Sequence, residues 1–514
     1  MPSQPPNPEV PDTTGRHPLK GPHAWVSTTY FAEGFPYTIV NSDVVKEVFR
    51  QFGASKAEIG LTALFHLPWN LKFLWGPFVD HYETKRLWLI GSEVALSAVM
   101  MGLAFVVSAG QTLTIISALF VLMAMLSATH DIAIDGFYLE GLDERGQSRF
   151  VGYRAMAYRL ASLLVGGPGM ILIGLGGWLV GLTAMAGVMV ALTIIHMVIL
   201  PRVETRRHSL SRVLRAALGL RVLAMGALVA AAIAAERELS LIRPAWHAVM
   251  ASVRSVPWLA RLSIGGWIGM VAIGLLLALL VLLAFRRRIE KRLSGSDSHY
   301  AAAFVHFLAQ PKVGRILAFV VLFRTGESFL QAMKLLFLRD EMKMTLGAYG
   351  TANGTLGVIA SFLATFVGGW LIARQGLRRW IWPFVIAQNT LNLLYMLLAT
   401  AGPDAPPSLA MLTAVIMAEH FGAGLGTAVF MVYLMRCCDP AHKAAHMAIL
   451  TALMSVSFTI AGAASGFLAE ALGYTTYFAL TFVATIPGMA LIFFIPYLDG
   501  RPKESVSSAA VAEH

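Results

Sequence analysis

The sequence predicts an all-α polytopic membrane protein: two six-helix bundles with two extra helices between them, about 14 spans in all. Three observations predict it. The 514 residues are 57% hydrophobic and 13% charged, where soluble domains carry roughly 25% charged residues. Twelve apolar segments are long enough to cross a bilayer, which takes about 20 residues each. The Lys and Arg excess behind the net charge of +11 gathers in alternate loops, as it does on the cytoplasmic side of membrane proteins. Composition thus excludes an ordinary soluble enzyme and a disordered chain, and the charge excess is not a nucleic-acid signal. Cys437 and Cys438 are adjacent, so they close no long loop and offer no paired-ligand metal spacing.

Residues 1–22 are rich in proline and polar residues. Without an apolar core they are no signal peptide and read as a disordered cytoplasmic tail. The apolar segments follow at about 24–45, 57–79, 87–109, 112–140, 149–176, 179–200, 313–339, 346–373, 380–400, 408–436, 443–470 and 474–497. Six form an N-terminal bundle over 23–201 and six a C-terminal bundle over 312–498, with a second cytoplasmic tail at 499–514. The insert at 202–311 holds a clear span at 263–285 and a shorter apolar stretch at 222–235. By length that stretch is either a short span or an interfacial helix.

Charge decides between them. One set of loops carries His81, Lys85, Arg86, Arg145, Arg149, Arg202, Arg206, Arg207, Arg212, Arg374, Arg378, Arg379, Arg436, Lys443, Arg501 and Lys503. The opposite set has Lys46, Arg50, Lys56, Arg339 and Lys343, partly offset by Glu47, Glu58, Asp340 and Glu341. Both halves put their basic loops on one side only if the insert crosses an even number of times. Two extra spans and two cytoplasmic termini are therefore expected, with the basic run Arg286–Arg292 returning the chain to the cytoplasm. A cysteine placed in 237–260 should then label from outside.

The halves resemble each other. Gly76-Pro-Phe-Val-Asp80 precedes Lys85 and Arg86 after the second segment, and Gly369-Trp-Leu-Ile-Ala373 precedes Arg378 and Arg379 after the eighth. Glu33 and Glu327 occupy corresponding places in the first segment of each half. Such a repeat is a transporter layout, with the site between the halves.

Motifs carry a more specific resemblance. GPFVDHYETKR looks like the helix 2–3 loop of the major facilitator superfamily, and KFLWGPFVD, SATHDIAIDGFYLE, VGYR and EHFGAGLGTAVF resemble the AmpG-type permeases. That family includes acetyl-CoA transporters. The likeness covers about 25–200 and 313–497. It implies a major facilitator fold, a rocking carrier in a bacterial inner membrane, and proton-coupled import of peptidoglycan-derived muropeptides, with an acyl-CoA-like anion as the alternative substrate. The extra pair lies between the halves rather than after helix 12, and His130 stands where those permeases usually have glutamine.

An ionisable group at bilayer depth is a functional candidate by default. Tyr30, Glu33, Tyr37 and Asn41 form one stripe, and Arg324, Glu327, Gln331 and Lys334 another on the corresponding helix. They either face one cavity or only pair helices. Asp131 and Asp135 share a helical face with His130 beside them, and Arg154 and Arg159 are the nearest cations in sequence. This group is a substrate or gating network, or a structural bridge between helices 4 and 5. Lys72 either reaches the cavity or snorkels to the surface. Glu419 is expected to face the cavity, while Gly422, Gly424 and Gly426 admit a neighbouring helix. Gly166-Gly167-Pro168-Gly169 reads as a bend used in rocking, and His196 as an interfacial residue.

Asp80, Lys85 and Arg86 form an expected cytoplasmic gate, locked in the outward-open state. Glu33, with no cation on its stripe, is expected to carry the proton, and Glu327, beside Arg324 and Lys334, to stay ionised. His130 and Asp135 also match the His-x4-Asp pattern of acyltransferases. No nucleotide loop, zinc motif or serine elbow accompanies them, so neither an enzyme nor a cofactor is expected. A sensor would usually add a soluble output domain, and neither tail is long enough to hold one. The expected partners are a small anionic solute, protons and the lipid bilayer, with no nucleic acid; the chain is expected to act as a monomer.

Overall fold

The computed structural model describes residues 21–72, 75–202, 299–402, 407–439 and 443–500. Residues 1–20 and 501–514 of the expected tails, the two insert spans and the Arg286–Arg292 run lie outside the described residues, as does the side chain of Asp80.

Each of the twelve apolar segments carries helix. The N-terminal half holds α1 (Pro22–Asn41, continued by Asp43–Gln51), α2, α3 (Lys85–Ser108) and α4 (Leu113–Gly141). α2 is a series of short turns, Lys56–Leu61, Thr62–His66, Leu67–Leu71 and Gly76–His81. α5 begins at Glu144–Leu164, passes through a π-helical turn at Val165–Gly169 and ends at Gly177, after which α6 runs to Ile199. In the C-terminal half α7 joins Val313–Phe323, Thr325–Leu336 and Phe337–Glu341. α8 joins Leu346–Tyr349, Gly350–Gly357 and Val358–Gln375, and α9 joins Leu377–Leu391 and Leu393–Ala401. α10 is Leu409–Cys437, α11 begins at Lys443 and ends at Gly473, and α12 continues to Val483 and Ile486–Leu491.

Among the described residues, eight stretches are long and apolar enough to cross a membrane. Two of them, Gly152–Ile199 and Ile449–Leu491, are each two spans. Gly177 and Gly473 break them at φ of 77° and 71°, a backbone that glycine adopts without steric cost. The reversal is visible in packing. A Cβ on Gly181 would lie 3.0 Å from the backbone nitrogen of Ile173, whereas residues eight apart in one helix are about 12 Å apart.

Three apolar cores describe how the halves sit. One is shared: Val44, Val45 and Val48 of α1 pack in the same core as Leu335, Leu338, Tyr349 and Tyr477 of the other half. Away from this end each half has its own core. Trp25, Tyr30, Phe137 and Tyr138 belong to the first half, and Phe319, Phe430 and Tyr433 to the second. The halves therefore meet at the end where α1 and α7 finish, and separate toward the end where they begin. A helix at His299–Ala309 adds Phe307 and Leu308 to the C-terminal core, so that bundle begins before the expected residue 312.

Glycines make the closed end possible. A Cβ on Gly466 of α11 would fall 1.9 Å from the carbonyl oxygen of Lys56 on α2. One on Gly354 of α8 would fall 1.8 Å from the carbonyl oxygen of Gly166 on α5. The Gly166–Gly169 segment, expected as a bend, is thus also where α5 and α8 cross backbone to backbone.

Candidate functional site

Between the halves lies a cavity of about 210 Å³, lined by Tyr37 and His66 from one side and by Arg324, Glu327, Ser328, Gln331, Met454, Ser455 and Phe458 from the other. The helical repeat brings one face of α1 opposite one face of α7. His66 was not singled out from the sequence. It stacks 5.6 Å from Trp69, and Tyr37 stands edge-on to both rings. Asn70 of α2 bonds Thr459 and Ser455 of α11, so α2 and α11 remain in contact beside the cavity.

Toward the open end the first half carries two ion pairs. Lys72 Nζ lies 2.7 Å from Asp131 Oδ2, and Arg154 lies 2.7 Å from Asp135 Oδ1. Tyr30 donates to the same Asp135 oxygen at 2.8 Å, and the Arg154 guanidinium covers the Tyr30 and Tyr138 rings at 4.2 and 4.5 Å. Lys72 thus meets a carboxylate rather than free surface or Glu33. Arg159 is not a partner of either aspartate and instead reaches Phe362 of the other half. Glu33 Oε2 is buried with no hydrogen-bond partner among the described residues.

In the second half, Arg324 holds Glu327 through contacts of 2.6 and 3.1 Å, and Gln388 of α9 donates to Glu327 at 2.8 Å. Lys334 does not share this carboxylate, although both lie on one sequence stripe. It turns to Glu419 of α10 at 3.1 Å, with both side chains at most 1% exposed, and Gln331 donates to Glu419 at 2.9 Å. Glu419 therefore lies behind the cavity wall, not on it. Its glycine neighbours let helices close in: a Cβ on Gly424 would lie 2.4 Å from the carbonyl oxygen of Ser361 on α8.

The loop after α2 is held by its own half. Lys85 is buried, with Nζ donating to the Val79 carbonyl at 3.1 Å. Arg86 donates to the carbonyls of Met197 and Leu200 at 2.9 and 3.2 Å, satisfying acceptors that the end of α6 leaves open.

Two clusters escaped the sequence reading. The first closes the joined end. Glu47, fully buried, accepts from Arg50 on its own helix and from Arg339 of α7, while Arg50 reaches Asp340 at 2.8 Å. Beside it Asp43 accepts from Tyr349 at 2.6 Å and Asn353 at 3.0 Å, both on α8, and Lys46 donates to the Gln331 carbonyl at 2.7 Å. The sequence signal was present: charges of both signs stand at corresponding ends of the first and seventh segments. Spacing along the chain does not pair them, because their partners lie on different halves.

The second cluster is Glu93, His130 and His196, all 0% exposed, from α3, α4 and α6. Glu93 Oε1 lies 2.6 Å from His196 Nδ1 and 3.2 Å from His130 Nε2. His196 is therefore a buried partner, not an interfacial residue. A lone glutamate within the third apolar segment was the overlooked signal. His130 faces Glu93 while Asp135 faces Arg154, so the His-x4-Asp spacing forms no catalytic dyad.

Comparison with known proteins agrees with this architecture. A family model described as Major Facilitator Superfamily matches residues 316–513. The anhydromuropeptide permease of Escherichia coli (strain K12) is 24% identical over 471 residues, covering 90% of this chain and 77% of that protein. A putative transporter AmpG 4 of Rickettsia conorii is 21% identical, covering 90% and 93%. Among solved structures, a peptide transporter POT in complex with sulfate matches with a TM-score of 0.61 at 14% identity, over 92% of this chain and 94% of that one; this likeness concerns the fold alone. The superfamily consists of transporters, not enzymes. With its halves joined at one end around a polar cavity, the superfamily match over residues 316–513 and its distant AmpG-type relatives, the chain is similar to the multi-pass membrane transporters of the major facilitator superfamily.

Proposed function

We propose that the protein imports an anionic, peptidoglycan-derived muropeptide or a similar solute with protons, by alternating access across a bacterial inner membrane. The observation that carries this reading is the inter-half cavity, where aromatic Tyr37 and His66 face the Arg324–Glu327 pair. Rings suit a sugar face and the guanidinium a carboxylate, and a relative carries the name anhydromuropeptide permease. With both termini cytoplasmic, the clasped end is periplasmic and the conformation is inward-open. Glu33 carries the proton: its buried Oε2 has no hydrogen-bond partner among the described residues, and an unsatisfied buried carboxylate oxygen is costly to keep charged. Glu327 is bonded to Arg324 and Gln388 and is not the proton carrier in this reading. Asp80, Lys85 and Arg86 meet the second half when the cytoplasmic end closes.

The test is uptake of labelled anhydro-muropeptide, against labelled acetyl-CoA, into vesicles with and without a proton gradient. Accumulation of the first under a gradient is expected. Uptake of acetyl-CoA alone replaces the muropeptide with the acyl-CoA-like anion, and failure of both removes the substrate reading.

A further inference from the structure

One ring nitrogen meets two partners that it cannot serve together. Behind the cavity wall, His420 Nε2 lies 2.9 Å from Asn353 Oδ1 on α8 and 3.2 Å from Lys334 Nζ on α7. Lys334 also forms its salt bridge to Glu419 at 3.1 Å, and an ammonium has donors but no acceptor. The Asn353 amide is oriented by the other half: its Nδ2 donates at 3.0 Å to Asp43 Oδ2, which also accepts from Tyr349. A carboxylate only accepts, so while Asp43 is in place the Asn353 oxygen must face His420. A ring nitrogen carries a proton or offers a lone pair, not both. With a proton, Nε2 bonds Asn353 and turns a donor toward Lys334; with a lone pair, it bonds Lys334 and opposes the Asn353 oxygen. Glu419 Oε2, at 3.8 Å, is too far to take the bond instead. The ring is lodged against α8, where a Cβ on Gly357 would fall 2.7 Å from its Cδ2. Lys334 and Asn353 are buried, so the contact left unmet has a cost. Of the four residues, only Asp43 belongs to the first half.

We infer that His420 is a positioning residue for the transport cycle: its Nε2 serves Asn353 while Asp43 is seated at the clasped end, and serves Lys334 once Asp43 leaves. The inference rests on the rocking of the halves and not on the identity of the solute. In the closed arrangement Asn353 is the nearer partner, and Lys334 already has Glu419. One buried contact stays unmet there, which offsets part of what the clasp contributes. When α1 withdraws Asp43, the Asn353 amide is free to turn and Nε2 can accept from Lys334. The change is a tautomer exchange: a proton leaves Nε2 and one is taken up at Nδ1, with no net gain or loss. The clasped end is thereby kept releasable. Its state also reaches the Lys334–Glu419 pair, and through it Gln331, which bonds Glu419 at 2.9 Å and lines the cavity.

The experiment uses the full chain in lipid bilayers with isotope-labelled histidine, read by solid-state NMR at a pH above the ordinary imidazole range. The His420 signal is the one lost in His420→Gln. It should show the Nε2–H tautomer in the wild type and the Nδ1–H tautomer in Asp43→Ala. The same tautomer in both overturns the inference, as does a doubly protonated ring. A second variant keeps the test decisive if Asp43→Ala does not fold. In His420→Gln the side-chain amide has a donor and an acceptor side by side, so it can serve Asn353 and Lys334 at once. Spin labels at Gln111 and Leu409, exposed on the two halves, would read the result in an Arg339→Gln background that favours the open arrangement. There His420→Gln should raise the closed-to-open ratio about 2- to 10-fold. A merely structural loss would lower that ratio, and a lowered or unchanged ratio overturns the inference. A single distance in every variant removes the rocking itself, and the inference with it.

Discussion

Arg339→Gln should open the clasped end. In the closed arrangement Arg339 reaches the fully buried Glu47 carboxylate through Nε at 3.4 Å and a terminal nitrogen at 3.0 Å. Arg50 contacts Glu47 from three residues along the same helix, so that contact survives when the halves part and does not favour either state. The second inter-half pair, Arg50–Asp340, has its carboxylate 41% exposed and contributes below about 1 kcal/mol. A charge-assisted hydrogen bond into a buried carboxylate contributes about 1.5–3 kcal/mol. The substitution should therefore lower the closed-to-open ratio by about 2 kcal/mol, roughly 30-fold. Spin labels at Gln111 and Leu409, exposed residues at this end of each half, in a background lacking Cys437 and Cys438, would read it. A longer inter-label distance should gain population in double electron–electron resonance. An unchanged distribution in a folded variant refutes the reasoning: the apolar core and the glycine crossings would then hold this end without the ion network.

Three further outcomes follow from the same geometry. Gly354→Ala and Gly466→Ala each place a Cβ within 2 Å of a backbone oxygen across the seam, and should lengthen the same inter-label distance; Gly91→Ala, with nothing within 4 Å, should not, and equal behaviour of all three would remove the crossing argument. Glu33→Gln should abolish gradient-driven accumulation in vesicles yet keep substrate exchange, which needs no net proton movement; accumulation retained there and lost in Glu327→Gln would reverse the two assignments. Glu93→Ala should cost about 3 kcal/mol or more by leaving two buried imidazoles without their shared partner. It should lower the unfolding temperature, so an unchanged temperature would mean that the cluster does not tie α3, α4 and α6 together.

The sequence by itself determined the helical segments, their grouping into similar halves and the polar stripes of α1 and α7. These are local properties: a span needs a run of apolar residues, and the helical repeat puts Tyr37 on one face with Glu33 and Glu327 on one with Arg324. Tertiary structure decided the partners. Lys334 shares a stripe with Glu327 but bonds Glu419 on another helix; Lys72 chose Asp131; His196 turned inward to Glu93. Hydropathy cannot make that choice, because lipid tails and the bundle interior are equally apolar. The face a helix turns inward is set by close packing at residues such as Gly354 and Gly466. Long side chains then reach whichever opposite charge that packing brings near. The same holds for the closed end: Glu47, Arg50, Arg339 and Asp340 read as loop charges in the sequence, and only the meeting of α1 with α7 turned them into a clasp.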